Sequence, residues 1–225
     1  TAANRAVKVP DGVSLKEAAA AMLKGMTAEF LLRRCFPVKA GDMILIHAAA
    51  GGVGSIMTQW ARALGAIVIG TAGSQAKADL AMAQGCHHVI QYRTEDVAAR
   101  VKEITKGQGV AVAYDSVGAD TFEATLASLS RRGLFVSFGN ASGPVPPFAP
   151  ARLAAAGSLF FTRPTLFDYI ATTEDLDESA SALFAVIGSG AVKIQIGAEY
   201  ALKDTRAAHE ALAGRETIGA TLLIP

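Results

Sequence analysis

The sequence predicts an α/β fold built on a doubly wound, six-stranded parallel sheet. From Gly41 onward, short apolar runs alternate with segments that have helical spacing. The runs at 67–69 and 110–113 are almost continuously apolar, which is typical of strands buried on both faces. A glycine-rich loop from His47 to Gly54 joins the first run to the first following helix. These three observations together indicate a sheet with helices on both sides.

The predicted elements follow from the spacing of the apolar residues and from the residues that end helices and form turns. Strands are expected at 43–47, 66–71, 87–91, 110–114 and 133–138, with a sixth at 159–161, and helices at 52–64, 74–84, 95–105 and 119–130. Glycines at Gly65, Gly85 and Gly133 and an asparagine at Asn140 supply helix stops and turns. The segment from 143 to 150 is Pro-rich and is predicted to be a loop.

The two ends of the chain do not follow the regular alternation of strands and helices. Residues 6–10 alternate like a strand, and Ser14 with Glu17 forms a capping box for a helix that is predicted to break at Gly25. The tail is predicted as a long helix at 175–187, strands at 192–196 and 199–202, a helix at 204–213 and a last strand at 220–224. We therefore divide the chain into residues 1–27, a dinucleotide-binding domain at 28–166, and residues 167–225, with both ends belonging to a second domain.

Composition excludes several classes of function. The chain has 225 residues, 51% of them hydrophobic, which is enough for a buried core. A net charge of +1 gives no reason to expect nucleic acid or an anionic membrane as partner, and no apolar run is long enough to cross a bilayer. Cys35 and Cys86 lie outside any C-x-x-C spacing and the histidines are scattered, so we expect no disulfide, no metal and a cytoplasmic location.

The glycine-rich loop is the strongest functional signal. At a strand-to-helix turn, Gly51 would let the backbone approach a phosphate and Gly54 would let the helix lie close against the sheet. The first glycine of the dinucleotide-binding pattern is replaced by Ala49, and a structural turn without a ligand is the alternative. The candidate contacts with a pyrophosphate are Ala50, Gly51, Gly52, Val53 and Gly54.

The region after the second strand indicates which nucleotide would bind. An NAD-selective site carries Asp or Glu about 20 residues beyond the loop, but here no carboxylate precedes Asp79. Instead, Gly73 is followed by the hydroxyl of Ser74 and the ammonium of Lys77, which suit a 2′-phosphate. The alternative for Lys77 is an ordinary solvated lysine. The missing acid favours NADPH as the cofactor.

The carboxyl ends of the later strands supply further candidates, because doubly wound sheets bind ligands there. Tyr92 could lie against the adenosine or be an ordinary tyrosine at a strand end, and Val117 could permit close approach of the backbone. A phenylalanine in the position of Phe138 is more often a core residue than a ligand contact. Gly139 and Asn140 are typical of a turn formed around a bound group.

These motifs together resemble the zinc-free NADPH:quinone oxidoreductases, relatives of zeta-crystallin in the medium-chain dehydrogenase/reductase superfamily. The resemblance rests on His47–Gly54, Ser74–Lys77, Tyr92, 114–118, 136–140 and the ending 222–225, and it covers essentially the whole chain. Ala48-x-x-Gly51-x-x-Gly54 is the form that the phosphate loop takes in that family. The resemblance implies a Rossmann domain with remnants of a GroES-like catalytic domain, most of which would precede Thr1.

The resemblance also implies roles for individual residues. Ser74 and Lys77 would hold the 2′-phosphate, with Tyr92 at the phosphate end and Val117 on the adenine or ribose side. The nicotinamide half would be approached by Thr27, in a turn between the two domains, by Phe138, Gly139 and Asn140, and by Leu166 in the turn after strand six. Arg215 would reach back to the cofactor. No catalytic residue is identified in this chain.

The implied reaction is hydride transfer from NADPH to a quinone, in a homodimer formed through the edge strand at 157–162. Two alternatives remain open. One is an NADPH-dependent reductase of alkenals or enoyl thioesters, which reduces an activated C=C bond rather than a quinone. The other is a non-catalytic NADPH-binding module.

Overall fold

The computed structural model describes residues 3–214 and 219–225. The strands are β1 Met43–Ile46, β2 Ile67–Ala72, β3 His88–Gln91, β4 Val110–Asp115, β5 Leu129–Ser137, β6 Phe160–Thr162, β7 Ile196–Ala201 and β8 Ala220–Ile224. The helices are α1 Leu15–Phe30, α2 Gly52–Ala63, α3 Gln75–Ala83, α4 Val97–Ile104, α5 Phe122–Ser128, α6 Ala151–Ala155, α7 Leu166–Tyr169, α8 Thr173–Gly188 and α9 Thr205–Ala213.

The main sheet has the strand order β3-β2-β1-β4-β5-β6, and all of its neighbouring strands are parallel. This confirms the predicted doubly wound sheet. The strand order reverses between β1 and β4, so the sheet has its topological switch point there. Ligands of such sheets bind outside the carboxyl ends of the strands at that point.

Both faces of the sheet are covered, as the apolar strands predicted. Ile44 and Ile46 point into a core shared with α1, α2 and α8, where Trp60 and Leu183 are buried. Leu45 points to the opposite face and packs with Phe122 in a second core beneath α4 and α5. Because successive side chains of a strand alternate between faces, β1 anchors both cores at the centre of the molecule.

Helix α1 differs from its prediction. The capping box is confirmed: the hydroxyl of Ser14 accepts from the Glu17 amide, and the Glu17 carboxylate accepts from the Ser14 amide. The predicted break at Gly25 is wrong, since α1 runs through it without interruption. A methyl carbon at Gly25 would lie 2.6 Å from Leu183 Cδ2, so this glycine permits close packing of α1 on α8. The helix ends in a π-helical turn at Leu31–Cys35.

The two ends of the chain also depart from their predictions. Residues 6–10 form no strand; Val7 and Val9 are half-buried against the core in extended chain, which produces the alternation without a partner strand among the described residues. In the tail, a single strand, β7, replaces the two predicted at 192–196 and 199–202. Val192 lies before β7 and is buried in the core instead. Strands β7 and β8 form a separate parallel pair.

Candidate functional site

Two cavities lie at the carboxyl edge of the main sheet, one on each side of the switch point. The first has a volume of about 320 Å³ and lies beyond the ends of β1, β2 and β3. It brings together six residues that the sequence predicted as cofactor contacts, namely Ala50, Gly51, Gly52, Gly73, Lys77 and Tyr92. The glycine-rich loop and Lys77 therefore line one space, whereas Ser74, the other residue predicted to hold the 2′-phosphate, is not part of its lining.

The backbone of the glycine-rich loop is tightly folded. Ala48 has a φ of 51°, and its carbonyl accepts from the Gly51 amide at 2.8 Å. A methyl carbon at Gly54 would collide with that carbonyl and lie 2.9 Å from the Ala49 Cα. Gly54 thus lets the first turn of α2 pack onto the loop, as predicted. The amides of that first turn have no partner within the helix and are available to an anion.

A buried histidine supports the loop from beneath. His47 is 1% exposed, and its Nδ1 lies 3.2 Å from the hydroxyl of Thr71 on β2. The same hydroxyl accepts from the Ala48 amide at 3.2 Å. Burial lowers the pKa of His47, so the ring is neutral. Sequence reasoning treated His47 only as the start of the loop and missed this contact.

The other ring nitrogen of His47 reaches across the switch point. His47 Nε2 lies 2.9 Å from the hydroxyl of Thr125 on α5. That hydroxyl also faces two acceptors, the Thr121 carbonyl at 2.7 Å and Asp115 Oδ2 at 3.2 Å. Because the single hydroxyl proton must go to one of these acceptors, Thr125 accepts from Nε2–H of the imidazole. The loop after β1 is thereby tied to the end of β4.

Asp115 folds the turn that follows β4. It is fully buried, and its Oδ1 accepts from the amides of Val117 at 2.7 Å and Gly118 at 3.1 Å. Gly118 has a φ of +97°, and a side chain there would collide with the Gly143 carbonyl. The close approach that the sequence indicated at this turn is made by the 143 loop. Val117 is outside the set of residues that line either cavity.

The 2′-phosphate region is built on the start of α3. Ser74 is the N-cap, and its hydroxyl accepts from the Lys77 amide at 3.4 Å. Tyr92 is half-exposed and lies over Gly73, where a methyl carbon would be 2.8 Å from the ring Cζ. The lack of a side chain at Gly73 therefore allows Tyr92 to form one wall of the first cavity.

The second cavity has a volume of about 520 Å³ and lies where the ends of β5 and β6 meet α1. It brings together three of the residues expected near the nicotinamide, which are Thr27, Phe138 and Leu166. Thr27 lies within α1, so its predicted place on a turn is wrong; its hydroxyl donates to the Leu23 carbonyl at 2.8 Å. Leu166 is the first residue of α7 and is buried.

The remaining predicted residues are distributed more widely. Asn140 lines a third cavity of about 410 Å³ under the Pro-rich loop, and Arg163 lines both this cavity and the second. Gly139 lies against the turn after β4, since a methyl carbon there would be 2.8 Å from Ser116 Cα. Val53, in the first turn of α2, packs against the core. Arg215 lies outside the described residues.

Several lining residues were missed by sequence reasoning, two of them on α1. Lys24 of α1 lines the first cavity, and Phe30 of the same helix lines the second. Both were hidden because a sequence does not show which strand ends α1 will cross. Within the described ranges, no three His, Cys, Asp or Glu side chains are grouped to hold a metal ion, and no helix there is long and apolar enough to cross a membrane.

The chain was compared with known families, proteins and structures. The zinc-binding dehydrogenase family matches residues 52–185. Quinone oxidoreductase of Salmonella typhimurium is 53% identical over 99% of this chain and 69% of its own length. The 2-haloacrylate reductase of a Burkholderia species is 45% identical over 99% of this chain and 68% of its own length.

The solved structures give the same result. The crystal structure of Escherichia coli quinone oxidoreductase complexed with NADPH superimposes with a TM-score of 0.95 at 49% identity. The superposition covers 99% of this chain and 69% of that one. The strand order and the phosphate loop of this chain, together with its level of identity to these relatives, all indicate the same family. The chain therefore belongs to the quinone oxidoreductases of the medium-chain dehydrogenase/reductase superfamily.

Proposed function

We propose that the chain binds NADPH along the carboxyl edge of the main sheet and serves hydride transfer to a quinone. The adenosine half would occupy the first cavity and the nicotinamide half the second. The observation that carries this proposal is the pairing of two cavities across the β1–β4 switch point. One is lined by the glycine-rich loop and a lysine, and the other by Thr27, Phe138 and Leu166.

The residues of the first cavity fit the polar half of NADPH. The unpaired amides of the first turn of α2, at Gly52, Val53 and Gly54, suit a pyrophosphate. The end of β2 reads Thr71-Ala72-Gly73, so no carboxylate repels a 2′-phosphate there. Lys77 supplies a cation, and Ser74 retains a hydroxyl proton to donate. This set favours NADPH over NADH.

The residues of the second cavity fit the nicotinamide half. When bound, NADPH supplies the hydride that the quinone accepts. Phe138 and Leu166 form apolar walls that would confine the ring and exclude water, and Thr27 offers the polar edge. We place Asn140, Gly139 and Val117 at the border of the site and expect Arg215 to reach back to the cofactor.

The proposal is tested by titrating the chain with NADPH and NADH and then adding 1,4-benzoquinone. We expect tighter binding of NADPH and loss of its absorbance after the quinone is added. Failure to bind NADPH would overturn the proposal. Binding without oxidation would instead favour the non-catalytic NADPH-binding module for this chain.

A second candidate differs only in the acceptor. The 45% identity to a 2-haloacrylate reductase, which acts on an activated C=C bond, favours an NADPH-dependent enone or enoyl reductase. The two candidates are separated by comparing kcat/KM for 1,4-benzoquinone and for 2-chloroacrylate. If kcat/KM were much larger for 2-chloroacrylate, the substrate class would be an activated alkene and not a quinone.

We further propose a homodimer formed through residues 157–162. Strand β6 is the outermost strand of the sheet, and Phe160 on it is 62% exposed. An exposed apolar edge strand can pair with its copy, which removes the unpaired edge. Gel filtration should give twice the 23.2 kDa of one chain. A monomer at micromolar concentration would contradict this.

Location and domain division are also proposals. Cys35 and Cys86 are both free thiols, which is usual in a reducing compartment and supports a cytoplasmic location. The division into residues 1–27, 28–166 and 167–225 can be tested by limited proteolysis. Residue 27 lies inside the continuous helix α1 and should resist cleavage in any case. The boundary at 166 is therefore the one tested: cleavage there would support the division, and resistance would contradict it.

A further inference from the structure

Lys24 lies across the start of α2, although it belongs to α1. A methyl carbon at Gly52, the first residue of α2, would lie 2.9 Å from Lys24 Cε and 3.0 Å from its Nζ. The lysine stem thus fills the space that a side chain at position 52 would need. A side chain at position 52 would therefore displace the Lys24 ammonium from its place over the start of α2.

The position of this cation is electrostatically unusual. The amino end of a helix carries partial positive charge, so a lysine there is repelled unless an anion lies between them. Lys24 is also half-buried, and the loss of water lowers its pKa. It faces the first cavity together with Gly51 and Gly52. An anion bound at this point would satisfy the ammonium and the helix amides together.

We propose that Lys24 is a ligand of the cofactor pyrophosphate and that the missing side chain at Gly52 leaves room for the lysine to reach it. This inference rests on the proposed binding of NADPH. It divides the charge recognition of the first cavity between two lysines. Lys24 contacts the part that NADPH and NADH share, and Lys77 contacts the part that distinguishes them.

The test uses two fragments of the cofactor and two matched variants of the 225-residue chain. ADP-ribose carries the pyrophosphate without the 2′-phosphate, and 2′-AMP carries the 2′-phosphate without the pyrophosphate. Lys24→Met keeps the apolar stem and removes the charge, and Lys77→Met does the same at the other position. Dissociation constants are measured by calorimetry, after circular dichroism has shown that each variant is folded.

We expect Lys24→Met to weaken ADP-ribose about tenfold and to leave 2′-AMP unchanged. Lys77→Met should do the reverse. Gly52→Ala, which pushes the lysine stem aside, should resemble Lys24→Met. Equal weakening of both fragments by Lys24→Met would indicate a merely structural role, and unchanged binding of both would remove Lys24 from the site; either result overturns the inference. If the unmodified chain binds neither fragment nor NADPH, the proposed function fails with it.

Discussion

The two halves of the main sheet form their cavities by different means. On the β1–β3 side, the cavity is bounded by glycines at positions 51, 52 and 73 and by two lysines, Lys24 of α1 and Lys77 of α3. On the β5–β6 side, it is bounded by side chains from α1, from the end of β5 and from the turn into α7. A backbone cradle is specified by short local motifs, whereas a side-chain pocket depends on elements far apart in the sequence.

This contrast predicts different sensitivities to mutation. The first half should be intolerant of added volume at glycines and should discriminate by charge. The second half should tolerate isosteric changes and affect only the nicotinamide end. The contact between His47 and Thr125, which links the two halves, should instead make the unfolding free energy depend on pH.

The largest expected effect is that of Gly54→Ala. The added methyl would collide with the Ala48 carbonyl, so the start of α2 must move away from the loop. We expect a loss of about 1–3 kcal/mol in unfolding free energy and roughly a hundredfold weaker NADPH binding, about 2.7 kcal/mol. Urea unfolding and calorimetry measure the two. Gly188→Ala is the control, because no atom lies within 4 Å of a methyl there; similar losses in both variants would refute the argument.

The next effect concerns cofactor choice. Lys77→Ala should weaken NADPH about thirtyfold, as expected for a lost charged hydrogen bond, and leave NADH nearly unchanged. Lys102→Ala, on the exposed face of α4, should change neither. Fluorescence titration with both nucleotides measures the difference. Equal weakening of NADPH and NADH would show that the first half does not discriminate through this lysine.

A smaller effect is expected from the link across the switch point. Burial lowers the pKa of folded His47 below its unfolded value of about 6.5. The unfolded state therefore binds a proton first, so the stabilising effect of the neutral ring is present above that pH and is lost as pH falls toward the folded pKa. His47→Gln, which cannot titrate, should flatten the decline in unfolding free energy that begins as pH falls through about 6.5, the pKa of the unfolded state. Parallel profiles for the two proteins would exclude His47 as the cause.

The smallest effect is expected in the second half. Thr27→Val keeps the shape of the side chain and removes its hydroxyl, so reduced nicotinamide mononucleotide should bind roughly two- to threefold more weakly. Binding of 2′-AMP should not change. Thr94→Val, in an exposed turn at the end of β3, serves as control. A loss of 2′-AMP binding with Thr27→Val would mean that the two cavities are not independent.

The local parts of the structure were predictable from the sequence. The six strands of the main sheet, the strand-to-helix turn at 47–54 and the capping box at Ser14 depend on neighbouring residues, and each is confirmed. Gly25 was misinterpreted because a glycine that stops a helix and one that lets another helix approach look alike in sequence. The difference lies in Leu183, more than 150 residues away.

The site was predictable to the same extent as the fold: its local motifs were found, and the contacts that depend on long-range packing were not. Six of the residues that line the first cavity were predicted, because they belong to short local motifs. Lys24 and Phe30 were missed because only the packing of α1 against the sheet brings them to the cavities. Val117 was predicted from its place after β4, but Asp115 binds its amide and turns that segment inward. The roles of all these residues toward NADPH stay predictions.

One consequence follows from the position of Trp60. It is the single tryptophan of the chain and is buried in α2, the helix whose first turn faces the first cavity. Eight residues of helix separate it from Gly52, about 12 Å along the axis. The reduced nicotinamide of NADPH or NADH bound along this edge would accept excitation energy from the indole, so quenching of intrinsic emission offers a label-free signal that either cofactor is bound in every variant that keeps this residue.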